Sequence, residues 1–175
     1  MIKQDILENR AKPIYLAIGS NLGNKKNNIE LAKFKLIQND VRITQISSYY
    51  ESLSWPNKNF PKYYNIIIKV KTSLDPTSLF KVIKLIEKKM GRKKTIKNFP
   101  RTCDIDIIDY NNKNVCIKTK NGILEIPHPR AHLRNFVLLP LHEISKKWVH
   151  PKFKQNITYL LSKTNIKSLR TIKII

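Results

Sequence analysis

The apolar positions fall into short blocks whose period changes along the chain, and the changes mark the elements. Ile14-Tyr15-Leu16-Ala17-Ile18 is a continuous apolar run after Pro13 and predicts a first strand. Gly19-Ser20-Asn21-Leu22-Gly23-Asn24 is turn chemistry, and Ile29, Ala32, Leu36 and Ile37 then recur at helical spacing. Val41 to Tyr50 predicts a second strand, and Glu51 to Lys62, with Pro56 and Pro61, a loop. Tyr63 to Thr72 alternates as a third strand, with Tyr63 and Asn65 on one face and Tyr64, Ile66, Ile68 and Val70 on the other. Asp75-Pro76 signals a helix start, because Asp caps free N–H groups and Pro suits the first helical position. Leu79, Phe80, Val82, Ile83, Ile86 and Met90 form its stripe, and Gly91 is the expected stop. Asp104–Tyr110 predicts a fourth strand, Val115 to Ile126 one or two short ones, and Ile157, Leu160 and Leu161 a final helix. Between them, His128 to Asn135 is polar and Phe136 to Ile144 apolar.

This order predicts an α+β protein with a ferredoxin-like βαββαβ core and added C-terminal strands and helix. Residues 1–13 read as a charged N-terminal extension and residues 14–175 as a single domain. A chain of 175 residues with 41% hydrophobic content can bury a real core. No apolar run approaches the roughly 20 residues of a membrane span, and the N-terminus has no continuous apolar region of a signal peptide. The two cysteines, Cys103 and Cys116, stand in no metal-ligand spacing. The expectation is a reduced, cytoplasmic protein that works as a monomer.

The net charge is +22, which raises nucleic acid as a partner. Against that, the lysines are spread along the whole chain and arginine is scarce. Lys, Asn and Ile are abundant together, as a strong A+T coding bias would produce. Most lysines are expected to form a solvated surface, the rest helping to attract an anionic substrate.

The candidate chemistry centres on Pro100-Arg101-Thr102-Cys103-Asp104-Ile105-Asp106-Ile107-Ile108. On a strand, Asp104 and Asp106 share a face, and two parallel carboxylates repel unless a cation lies between them. The usual partner is a hard divalent ion, most often Mg²⁺ when phosphate is the other ligand. Solvent-facing alternation is the competing explanation, but Asp is poor in strands and these are flanked by isoleucines. Asp109 has the opposite parity if the strand is regular. A cationic loop with Arg92, Lys93, Lys94, Lys97 and Arg101 precedes the carboxylates and could clamp a triphosphate, or be a solvated face. His128, Arg130, His132 and Arg134 could supply more donors. His128 and His132 stand at i, i+4, but no Glu or Cys nearby completes a zinc set. The Gly19–Gly23 loop lacks a following Gly-Lys-Ser/Thr and is not a P-loop. Glu87 lies at the edge of its helix stripe, where a solvated position is the common case and proximity to a site the alternative. Tyr63, Asn65 and Phe136 could be core, or could sandwich and read a flat heterocycle.

Taken together, these motifs resemble the 6-hydroxymethyl-7,8-dihydropterin pyrophosphokinase family of folate biosynthesis. The resemblance runs from about Ile14 to the His150 region. It rests on Gly19-Ser20-Asn21-Leu22-Gly23, Ser47-Ser48-Tyr49-Tyr50-Glu51-Ser52, Tyr63-Tyr64-Asn65 and Ile86-Glu87-Lys88-Lys89-Met90-Gly91-Arg92. It continues through Pro100 to Asp106, Ile126-Pro127-His128-Pro129-Arg130 and Arg134 to Leu141. The resemblance implies a ferredoxin-like fold and transfer of pyrophosphate from ATP to the pterin hydroxymethyl group, releasing AMP. It implies two Mg²⁺ ions on Asp104 and Asp106, with Asp104, Asp106, Arg92 and Arg101 as the catalytic group. Arg92, Lys94, Arg101, His128 and Arg134 fall on nucleotide-clamping positions, with Glu87 and Ile107 nearer the adenosine. Ser52, Leu53, Trp55, Tyr63, Asn65 and Phe136 fall on pterin-pocket positions. The chain departs from the family at Phe99, where a small residue is common, at Lys94, where arginine is common, and at Phe60, commonly polar. The 51–62 loop has no glycine.

A rival from another class is a basic RNA-binding ferredoxin-like module. It needs an aromatic sheet-face motif that the chain lacks, and it gives no reason for the Asp pair. The expected partners are therefore ATP and a hydroxymethyl dihydropterin, with no nucleic acid and no membrane.

Overall fold

The structure is a computed structural model that describes residues 13–55, 57–92 and 99–175. The N-terminal extension up to residue 12 and Lys93, Lys94 and Lys97 lie outside the described residues. The central strand is β1 (Ile14–Ser20), flanked on one side by β5 (Asp104–Tyr110) and on the other by β4 (Tyr63–Lys71). Both pairings are antiparallel. The far edge of β4 is shared by β2 (Arg42–Ile46) and β3 (Tyr50–Ser52), and β8 (Lys173–Ile174) pairs with β3. A separate hairpin joins β6 (Val115–Thr119) to β7 (Gly122–Ile126).

The alternation of β1 explains the layers. Ile14, Leu16 and Ile18 face one cluster and Tyr15 the other. The first cluster is covered by α1 (Lys25–Ile37) and α2 (Pro76–Lys89), through Ile29, Ala32 and Leu36 and through Leu79, Ile83 and Ile86. The second is covered by α3 (Asn135–Ile144) and α4 (Ile157–Lys163), through Val137, Leu138, Leu141, Ile157 and Leu160. Each face of the sheet therefore has helices on it, so the two clusters are both core. No helix among the described residues is long and apolar enough to cross a membrane.

The caps act where the sequence signals them. Asn24 accepts from Asn27 N to start α1, and Asp75 accepts from Thr77 N and Ser78 N to start α2. Gly91 follows α2 with φ +84°, a left-handed conformation that glycine adopts without a Cβ clash.

Four expectations need correction. The single strand expected over Val41 to Tyr50 is two, because Ser47 interrupts it. Its Oγ accepts from Ile67 N at 2.9 Å while its own N donates to Ile67 O, so one serine replaces a ladder step. Glu143 then captures Ser48 N and Ser48 Oγ, both at 2.9 Å, and holds the break in place. Ile37 is 56% exposed and does not belong to the α1 stripe. The helix at Ile157 is not the last element: α5 (Ile166–Leu169) and β8 follow it, and β8 returns the chain to the sheet. Finally, β5 is irregular, with Tyr15 opposite Asp109 but Leu16 opposite Ile107. Asp109 is fully buried and accepts from Trp148 Nε1 at 2.9 Å and Asn112 N at 2.9 Å. It is a structural carboxylate between strand and C-terminal segment.

Candidate active site

The register of the three central strands brings the acidic and the aromatic candidates together. Gly19 of β1 lies opposite Asp104 on one side and opposite Asn65 on the other. Ala17 lies opposite Asp106 and Ile67. Cross-strand partners share a face, so Asp104, Asp106 and Asn65 point to the same side of the sheet. Gly19 keeps this row open. A Cβ there would stand 3.0 Å from Asn65 Oδ1 and 3.5 Å from Tyr63 Cδ1.

Each carboxylate is surrounded by cationic side chains from separate segments. Arg92, just after α2, meets Asp104 Oδ1 at 2.7 Å, and Arg101 meets Asp104 Oδ2 at 3.1 Å. Arg134, at the start of α3, meets Asp106 Oδ2 at 3.1 Å. His128 Nε2 lies 3.6 Å from the same oxygen. Burial works against the charge of Asp106, but His128, Arg134 and Lys84 more than offset it and hold its carboxyl below the usual range. Burial pushes the His128 ring down, Asp106 pulls it up, and Arg134 and Arg130 push it down again; the net shift is downward. His128 Nδ1 accepts from Arg130 N at 3.1 Å, and its Nε2 lies 3.3 Å from the Arg134 guanidinium and 3.6 Å from Asp106 Oδ2.

Glu87 is not a solvated helix edge. It is 1% exposed, and its Oε1 accepts from Ile105 N at 2.9 Å and from Arg92, while Oε2 takes Lys84 at 2.8 Å. Burial pushes its carboxyl up, and Lys84 and Arg92 pull it back. Glu87 thus joins α2 to the strand residue beside Asp104 and orients Arg92. A cavity of about 430 Å³ opens next to Asp106, lined among others by Phe80, Lys84, Ile107, Ile123, Glu125 and His128. Its mixed walls, apolar from three isoleucines, a leucine and a phenylalanine and polar from Lys84 and Glu125, suit an amphipathic group such as a nucleoside.

The other candidates lie on β4, on or just after β3, and on the first turn of α3. Asn65 is buried and donates to Ser52 Oγ at 2.9 Å. Tyr63 is opposite Ser52 in the β3–β4 register. Burial pushes the Tyr63 hydroxyl up, the nearby Arg101 guanidinium pulls it down, and Asp104 pushes it up. Phe136 is half-buried on the first turn of α3, with the Arg134 guanidinium 5.5 Å from its ring centre. Leu53 is half-buried, and Trp55 is 67% exposed with Arg130 at 5.9 Å from its ring centre. His132 does not join His128. Its ring packs on Phe153 at 4.7 Å and His150 at 5.5 Å. Among the described residues there is no group of three or more His, Cys, Asp or Glu placed to hold a metal ion.

Sequence reasoning missed Asn21. It is 1% exposed and connects three segments through Ser54, Pro61 and Arg101. The available signal was a polar Ser20-Asn21 pair directly after a buried apolar strand, which asks what satisfies it.

The comparisons with known proteins agree with one another. The family described as 7,8-dihydro-6-hydroxymethylpterin-pyrophosphokinase (HPPK) matches residues 15–146. The chain is 47% identical over 138 residues to the folic acid synthesis protein FOL1 of Dictyostelium discoideum, covering 79% of this chain and 20% of that protein. It is 39% identical over 142 residues to the 2-amino-4-hydroxy-6-hydroxymethyldihydropteridine pyrophosphokinase of Aquifex aeolicus, covering 81% of this chain and 86% of that one. It therefore spans about a fifth of the first relatives' length but most of the Aquifex protein. The crystal structure of wild-type Plasmodium falciparum HPPK-DHPS superposes with a TM-score of 0.74 at 18% identity, over 93% of this chain and 48% of that one. That likeness speaks for the fold, and the family match and the Aquifex identity for descent: the chain belongs to the 7,8-dihydro-6-hydroxymethylpterin-pyrophosphokinase family.

Proposed function

We propose that this chain transfers pyrophosphate from ATP to 6-hydroxymethyl-7,8-dihydropterin, giving the pterin diphosphate and AMP, as a step of folate biosynthesis. The observation that carries the reading is the row Asp104–Gly19–Asn65 across β5, β1 and β4. It sets a carboxylate and its arginines beside an amide suited to the edge of a heterocycle. Residues 14–175 act as one pyrophosphokinase domain, and the antiparallel order β5-β1-β4-β3 supports a ferredoxin-like core.

Asp104 and Asp106 would hold two Mg²⁺ ions. The donor chemistry fits, since both are carboxylates on one strand face, and phosphate oxygens can complete a hard-ion shell. When bound, Mg²⁺ polarises phosphoryl oxygens and makes the hydroxyl proton easier to lose. Arg92, Arg101, Arg134 and His128 already converge on these carboxylates and are the clamps for the triphosphate, with Lys94 as a further one from its loop. Asn65, Ser52, Leu53 and Trp55 bind the pterin edge, and Tyr63 and Phe136 stack its ring. Ile107, on the wall of the cavity beside Asp106, and Glu87 are the positions nearer the adenosine. The pterin hydroxyl oxygen then bonds to the β-phosphorus, the bond from that phosphorus to the α–β bridging oxygen breaks, and AMP leaves. Orientation and fixed charge supply most of the acceleration, as in other phosphoryl transfers.

The test is AMP release by the purified chain with ATP, Mg²⁺ and the hydroxymethyl dihydropterin. Release that depends on the pterin is expected. No AMP above an Asp106→Ala control overturns the reading.

A further inference from the structure

Two ties join the 51–62 loop to the segment that leads into Asp104. The inner tie is Asn21. Its Nδ2 donates to Ser54 Oγ and to Pro61 O, both at 3.2 Å, its Oδ1 accepts from Arg101 N at 2.8 Å, and its own N donates to Arg101 O at 3.1 Å. The outer tie is a ring contact between Phe60 and Phe99, with centroids 5.4 Å apart and planes at 56°. That spacing is within the attractive range of aromatic pairs.

The outer tie has no evident role in holding the fold. Neither ring belongs to either core cluster, and Phe99 is 42% exposed. Its position matters more than its area. Phe60 precedes Pro61, whose carbonyl is bound by both Asn21 and Ser54. Phe99 is two residues before Arg101, and Arg101 Nε donates back to Phe99 O at 3.3 Å. A shift of Phe60 therefore reaches Phe99 through the ring contact and, through the Phe99 carbonyl, the arginine that meets Asp104.

We propose that Phe60 and Phe99 are a positioning pair that couples the two substrate subsites. This rests on the reading above, in which the 51–62 loop meets the pterin and Arg101 the triphosphate. A pterin that settles the loop fixes Phe60, hence Phe99 and Arg101; a triphosphate that holds Arg101 fixes the loop in return. Coupling of this kind is reciprocal, so each ligand tightens the other by the same factor. The inner tie through Asn21 and the Arg130–Trp55 contact, which leads to the Arg134 segment, are parallel paths from the loop and retain part of the coupling when the rings are lost.

The experiment measures the dissociation constant of an ATP analogue with a methylene bridge between the α- and β-phosphorus, with Mg²⁺, in the presence and absence of the hydroxymethyl dihydropterin. The ratio of the two constants exceeds one in the unaltered protein. Phe60→Ala and Phe99→Ala each lower that ratio about three- to ten-fold, the size of one aromatic pair. The double variant does no more than either single one, because both remove the same contact. Phe→Tyr at either position keeps the ring and restores the ratio. An unchanged ratio in the single variants, or losses that multiply in the double variant, overturns the pairing. So does an equal loss for each ligand measured alone with a lowered melting temperature, which is the mark of a merely structural role. Turnover separates the two claims: AMP release with an unchanged ratio sinks the pairing alone, and neither binding nor turnover in the unaltered protein sinks the function and the pairing with it.

Discussion

Gly19 and Asn65 face each other across the β1–β4 ladder, and a methyl group on Gly19 would stand 3.0 Å from Asn65 Oδ1. The backbone at Gly19 needs no left-handed conformation, so the glycine serves space and not torsion. Gly19→Ala must push the Asn65 amide, which is tied to Ser52 at 2.9 Å. The expected result is a pterin KM raised about ten-fold, worth about 1.4 kcal/mol, with a much smaller change in the ATP KM. Steady-state kinetics with each substrate varied in turn checks this. Equal effects on both constants would point to a general disturbance of β1.

Asp104 and Asp106 make a second prediction, in which activity and stability diverge. Asp104→Ala and Asp106→Ala each lower kcat by at least about 10²- to 10³-fold, the scale for losing one preorganised electrostatic group at a transition state. Their cost to stability is modest, about 1 kcal/mol, because both carboxylates are partly exposed and solvent reaches the arginines left behind. Urea unfolding next to single-turnover AMP release separates the two effects.

Glu87 should behave in the opposite way. Its carboxylate is inside the structure and satisfies Ile105 N, Arg92 and Lys84 at once. Glu87→Ala strands a buried N–H, leaves Lys84 without its carboxylate and Arg92 with Asp104 alone, and is expected to cost about 2–4 kcal/mol of stability. Glu87→Gln keeps an acceptor for Ile105 N and should cost less than half as much. Glu87→Ala removes one of the two carboxylate contacts of Arg92, leaving Asp104, and lowers kcat; Glu87→Gln, whose Oε1 still accepts from Arg92, lowers it less. Chemical denaturation of the two variants checks the order, and a Gln variant as unstable as the Ala variant would refute the role given to Ile105 N.

These residues also show what could be read before any fold was known. The pairing of Asp104 with Asp106 follows from the period of a strand, and Asp75-Pro76 and Gly91 announce α2 by local chemistry alone. Glu87 could not be read so, because its burial depends on partners from β5 and the segment after α2. Asn21 is harder still: its side-chain partners are 33, 40 and 80 residues away. Ser47 broke an expected strand because a hydroxyl can stand in for a backbone group, which apolar periodicity does not register. Local pattern fixes elements; the site's hubs are polar groups whose partners only the register supplies.

The last prediction concerns pH and lies away from the reaction. His150 is 1% exposed, its Nδ1 accepts from Lys152 N and Phe153 N, and its ring stacks on Phe153 at 4.6 Å. Burial, with His132 and Lys152 nearby, lowers its pKa from 6.5 to about 4. A lowered value means that the fold refuses a proton which the unfolded chain accepts. The stabilising contribution is therefore complete above pH 6.5 and is lost as pH falls toward 4. The loss is at most about 3 kcal/mol, from 1.36 kcal/mol for each pH step between the two values. Denaturant midpoints at pH 7, 5.5 and 4.5 should fall in that order, beyond the decline that acid causes through the carboxylates. His150→Gln, which cannot take up the proton, should start less stable at pH 7 and lose less on acidification. A variant whose midpoint falls as steeply as that of the unaltered chain would show that another group refuses the proton.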